Sequence, residues 1–93
     1  MAKIFVVSRE SQADAKVILV GRESQADLLF SEVDRESQAK GDALWFFVER
    51  ESHADFKIFW VERESQADIK LFKASRESQA TWKKNNKFRG RIG

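Results

Sequence analysis

Four pairs of carboxylates stand four residues apart along the chain: Glu10 with Asp14, Glu23 with Asp27, Glu51 with Asp55 and Glu64 with Asp68. On a helical turn such a pair is mutually repulsive, so something must offset the repulsion in copy after copy. A bound cation is one answer, since oxygen-rich turns suit calcium. A neighbouring arginine is a second. The third is an aspartate that lies outside the turn, at the entrance to the next strand. The plainest arrangement is a ladder of arginine and glutamate between nearby turns, with Arg9, Glu10, Arg22, Glu23, Arg63 and Glu64 among its rungs. It requires no metal and no cofactor, and none is expected.

Catalytic patterns are weak. The single histidine, His53, occupies a place filled elsewhere by Gln12, Gln25, Gln38, Gln66 and Gln79. A site that accepts glutamine five times reads as polar surface. Serine recurs at 11, 24, 37, 52, 65 and 78, but a serine nucleophile needs a positioned base, and one histidine cannot serve six. Cysteine is absent, which removes thiol chemistry, thiolate zinc sites and disulfides together. No glycine-rich phosphate loop is present. The expectation is a protein that is not an enzyme.

The C-terminus suggests a different chemistry. Lys83, Lys84, Lys87, Arg89 and Arg91 lie within "WKKNNKFRGRIG" with no acid among them, leaving 12 basic residues against 15 acidic ones in the rest of the chain. Cations interleaved with Trp82 and Phe88 would hold nucleic acid or another polyanion by charge and stacking. The alternative is a solvated basic terminus.

These groups are positioned by a tandem repeat. The arginines opening the polar phrase fall at 9, 22, 35, 50, 63 and 76, a spacing of 13 interrupted once by the Gly41–Asp42 insertion. Between the phrases run "KIFVV", "KVILV", "LFSEV", "LWFFV", "KIFWV" and "KLFKA". Short, β-branched, aromatic and bounded by polar residues, they read as strands near 3–7, 16–20, 29–33, 44–48, 57–61 and 70–74, with "TWKK" as a candidate seventh. The phrase suits one helical turn, with serine or acid before the arginine able to cap it. Residues 1–82 form one repeat domain and 83–93 a basic tail. The fold class is all-β.

Strand order follows from geometry less directly. Five strand residues span about 16–17 Å, whereas a seven-residue helical phrase rises about 10 Å, too short to return to the strand's starting end. Adjacent columns of both parities are also apolar, for example Ile4, Val17, Phe30, Trp45, Ile58, Leu71 beside Phe5, Ile18, Ser31, Phe46, Phe59, Phe72. The first point leaves strands that run antiparallel side by side or a chain that turns a corner onto another side of a coil; the second, with the general preference for neighbouring strands to pair, favours an antiparallel meander or curled sheet over a two-sheet β-solenoid. Two greasy faces on so small a chain further imply a homo-oligomer, most simply a dimer.

The tandem "ESQAD" turns, the central "GDALWFFVERES" and the closing Ala-Thr-Trp-Lys-Lys with its basic tail resemble a family of small bacterial repeat proteins of unknown function. The resemblance covers essentially the whole chain and implies a bacterial origin, but no reaction, cofactor or partner. "MAKIFVVSRE" has neither a signal peptide's apolar region nor a membrane span, so a cytoplasmic location without membrane contact is expected. The functional expectation is a non-catalytic, self-associating scaffold or multivalent binding module, with weak polyanion binding through the tail as the alternative.

Overall fold

The computed structural model describes residues 2–92. The protein is all-β, built from seven strands alternating with six 3₁₀ turns among these residues. The strands are β1 (Ala2–Val6), β2 (Ala15–Leu19), β3 (Leu28–Glu32), β4 (Leu44–Phe47), β5 (Phe56–Trp60), β6 (Ile69–Lys73) and β7 (Thr81–Trp82). Five of the six strand runs begin one residue before their expected positions, because alanine, leucine, phenylalanine or isoleucine at the entrance also points into the core. "TWKK" does open a seventh strand.

The antiparallel meander is wrong. Strands β1 to β6 are parallel and close into a six-membered ring in the order β1, β5, β2, β6, β3, β4. Consecutive strands therefore do not pair: each connection steps over the strand between them. A two-sheet solenoid is not formed either, although the coil's central property is kept, with every equivalent column facing the same way. Closure leaves the ring with no free edge.

Register explains how so short a phrase makes a parallel connection. Val6 pairs with Ile58, and Ile58 pairs with Ala15. The last residue of β1 and the first of β2 thus lie in one row, two strand spacings or about 10 Å apart. No return journey exists, because each pairing is offset by two residues and two pairings consume one strand length. Leu19, Leu71 and Leu28 repeat the row, as do Phe47, Ile4 and Phe56. Eight residues, 7–14, suffice for the hop.

The insertion falls where that rule would fail. Glu32 pairs with Trp45, and Trp45 with Ala2, so a third identical hop would set the next strand on top of β1. The connection 33–43 is longer, turns through Gly41 at φ 66°, and places β4 beside β3 instead. The second circuit, β4 to β6, then interleaves with the first. β7 pairs antiparallel with Leu28 and Leu29 on the flank of β3 whose other half, Ser31 and Glu32, pairs with β4. Counting β7 as a seventh place, every connection advances two places around seven.

Inward side chains form the core. The layer Ile4, Val17, Phe30, Trp45, Ile58, Leu71 is at most 5% exposed, and Ala2, Ala15, Leu28, Ala43, Phe56, Ile69 lie buried beneath it. Trp45 stacks on Phe30 at 4.7 Å and donates its indole N–H to the Asp42 carbonyl at 2.6 Å. The second apolar parity is not a second exposed face. The turns lie outside the barrel, the last of them against β3, and Val20, Ala26 and Ala74 pack on Leu29 and Phe72 there.

The stretch set apart as a tail returns to this core. Ile92 is 1% exposed among the core residues, and Phe88 meets Phe56 edge to face at 5.7 Å. Alanine at 2, 15 and 43 leaves room in the lowest layer, and the C-terminal segment fills it.

Candidate functional site

The repeated aspartate is the best-defined functional group of the phrase. Asp14, at the entrance to β2, donates its backbone N–H to the Lys57 carbonyl at 2.8 Å and accepts the Lys57 N–H on Oδ2 at 2.9 Å. Lys57 belongs to β5, the strand that this connection steps over. Asp27 holds Lys70, Asp55 holds Lys3 and Asp68 holds Lys16 in the same two-bonded way. Of the three answers to carboxylate repulsion, the third is found: the aspartate lies outside the turn and grips a backbone. No group of three or more His, Cys, Asp or Glu side chains is gathered as a metal set among the described residues.

The arginine–glutamate ladder is replaced by another pairing. Glu10, Glu36 and Glu51 bridge to Lys16, Lys3 and Lys57 at 3.4, 3.1 and 3.6 Å. The hydrogen bond that the Lys3 ammonium donates to Glu36 raises its pKa above the ordinary value; desolvation opposes this, and the charges of Glu36 and Asp55 add to the rise. Arg9, Arg22 and Arg63 are exposed, as are Glu10, Glu23 and Glu64. Arginine, with extended φ and ψ, is itself the residue before each turn and offers no side-chain oxygen to cap it; at the third turn Gln38 Oε1 accepts the Arg35 backbone N–H at 3.2 Å instead. His53 is exposed like its glutamine counterparts.

Asp42 grips the C-terminal segment with its carboxylate. It precedes Ala43 as Asp14 precedes Ala15, and it strides over the C-terminal segment rather than a barrel strand. Its Oδ2 accepts the Trp82 indole N–H at 2.8 Å and the Gly90 backbone N–H, and its Oδ1 accepts the Ile92 N–H at 3.1 Å. Asn86 adds a bond to the Asp68 carbonyl at 3.0 Å. Trp82 and Phe88 therefore serve the closure of the barrel, which takes them from the base-stacking role that the sequence suggested. Lys83, Lys84, Lys87, Arg89 and Arg91 all remain exposed on the closed end.

The opposite end is differently made. All six barrel strands point their C-termini there, and the inward parity delivers Val6, Trp60, Leu19, Lys73, Glu32 and Phe47 in ring order. Val6 is 40% and Leu19 55% exposed, Phe47 and Trp60 are half-buried, and Glu32 and Lys73 are exposed. A depression of 530 Å³ opens beside Trp60, with Glu10 and Arg63 on its walls. Sequence reasoning passed over this rim, although Glu32 and Lys73 are the two polar letters in an otherwise apolar column.

No helix among the described residues is long and apolar enough to cross a membrane. No curated protein and no solved structure matches the chain. A family profile described as the 7(1) septoil knot domain (Septknot) matches residues 1–83. Two circuits that advance two places at a time around seven trace the seven-crossing path which that description names.

Proposed function

From the premise that this chain belongs to the septoil knot domain family, we propose that it acts without catalysis, as a self-associating scaffold built on a closed barrel. The observation that carries the reading is the contrast between the two ends. One is sealed by Ile92, Phe88 and Asp42, while the other leaves Val6 and Leu19 in solvent beside Phe47 and Trp60. Exposed apolar groups gathered in one arc are the signature of a surface meant to be covered. Nucleophile and base do not gather in one site: the serines of the repeated phrase lie on exposed turns around the barrel, and the one histidine is among them. Sedimentation equilibrium tests the proposal. A mass above 10.8 kDa that rises with concentration over the micromolar range supports it, and a monomer throughout rejects it.

A second reading is favoured by the closed end. Five exposed cations sit there on a segment that is ordered by Asp42 and Asn86, so polyanion binding requires no folding of a loose tail. Deleting the segment is a poor test, because Ile92 would leave the core with it. Replacing Lys83, Lys84, Lys87, Arg89 and Arg91 with glutamine keeps the closure and removes the charge. Heparin or single-stranded DNA retention that falls with salt and disappears in this variant supports the reading; equal retention rejects it.

A further inference from the structure

The open rim has an internal symmetry that identifies its partner. Each of the six pairings around the ring is offset by two residues in the same sense, so one repeated step relates each strand to the next and equivalent residues stand at one height around the barrel axis. At the rim, the neighbours Lys73 and Glu32 lie opposite the neighbours Val6 and Trp60, with Leu19 and Phe47 between them on either side. We propose that two copies join rim to rim about a two-fold axis that passes between Lys73 and Glu32 on one side and between Val6 and Trp60 on the other. The inference rests on the self-association reading and specifies its geometry.

That axis pairs the whole ring. Lys73 of each copy faces the other copy's Glu32, Val6 faces Trp60, and Leu19 faces Phe47. The alternatives are worse. Two axes running through strands set Lys73 against Lys73 or Glu32 against Glu32, and the remaining in-plane axes press both charges onto apolar groups. Only the proposed one satisfies charge with opposite charge and apolar with apolar, the self-complementarity that an isologous contact requires. The near-sixfold ring accounts for the two equal molecular extents of 32 Å, against 20 Å along the third. An end of that width offers on the order of 800 Å², what one partner contributes to a standard-size interface.

Charge exchange tests it by sedimentation equilibrium. Lys73→Glu alone places two like-charged contacts across the interface, and Glu32→Lys alone does the same with the opposite sign. Each is expected to weaken self-association by at least roughly tenfold, since like charges opposed across a contact are strongly disfavoured. Mixed in equal amounts, the two variants form attractive pairs only with each other, so affinity should return to near the wild-type value. The double exchange, which keeps both charges within one chain, should also associate normally. Leu19→Asp, a change on the apolar arc, should weaken association by a similar factor. If wild-type protein dimerises but the mixture is no tighter than either single variant, this geometry is wrong and self-association stands. A wild-type protein that stays monomeric to hundreds of micromolar overturns both.

Discussion

Lys57 donates its backbone N–H to the carboxylate of Asp14, 43 residues earlier in the chain, at 2.9 Å. The contact joins the first circuit of the barrel to the second. It answers why the polar phrase repeats so faithfully: the aspartate must reach a backbone that belongs to another repeat, whereas the strand interiors need only apolar bulk. Substitution should reveal a gradient. Asp68→Ala, whose partner Lys16 is partly buried, is expected to cost about 1.5–3 kcal/mol, the range for a hydrogen bond to a charged acceptor. Asp14→Ala, at a more exposed site, should cost less, and asparagine at either position should recover part of the loss. Urea midpoints of the four variants measure this directly.

Asp42 holds three donors, from Trp82, Gly90 and Ile92. Asp42→Ala should therefore exceed any other phrase aspartate in cost, by about 1 kcal/mol or more. Its distinctive mark is local: hydrogen exchange should accelerate at Ile92 and Gly90 before the barrel amides respond.

Ile92→Ala removes a buried side chain from beneath a layer that contains three alanines. A loss of about 2–5 kcal/mol is expected, as for other large-to-small core changes, and thermal or urea unfolding reads it. Replacing the exposed Arg91 with alanine should change stability by less than about 0.5 kcal/mol. Equal effects at 91 and 92 would mean that the C-terminal segment does not seal the barrel.

Ala26 is fully buried against Leu29, Phe72, Val20 and Ala74, where a turn lies on the outer face of the barrel. Leucine there should cost about 1–3 kcal/mol through overpacking. The equivalent Ala67 is half-buried, and its leucine variant should be milder. Urea denaturation separates the two.

Much of this was legible in the letters. The period, the apolar column through Ile4 and Trp45, the strand-and-turn alternation and the special status of the Gly41–Asp42 insertion all follow from local physics. Strand order did not, because it depends on stagger. The assumption that a parallel strand must begin level with its predecessor's start made an eight-residue connection look too short, yet Val6 and Ala15 share a row across Ile58. The outward aromatics misled for a related reason. Phe5 and Phe72 looked like a second exposed face because the turns were imagined at the ends of a sheet, not laid over its outside. The role of Ile92 was hidden by its neighbours, since five cations around one isoleucine look like a solvated terminus. Asp42 left a signal in its position before Ala43, which matches Asp14 before Ala15.

The central claim is the parallel, interleaved winding, and the absence of native cysteine makes it directly accessible by engineered disulfides. Ile18 and Lys70 are register partners on β2 and β6, strands far apart in sequence, whereas Phe5 and Ile18 lie on β1 and β2, which the barrel separates by β5. Cysteines at 18 and 70 should oxidise to an intramolecular disulfide in the folded protein. Cysteines at 5 and 18 should not, because their strands are two spacings apart, about 10 Å, and the stagger separates the two residues further, beyond the reach of the bridge. Rapid closure of the 5–18 pair with none at 18–70 would place consecutive strands side by side and contradict the barrel.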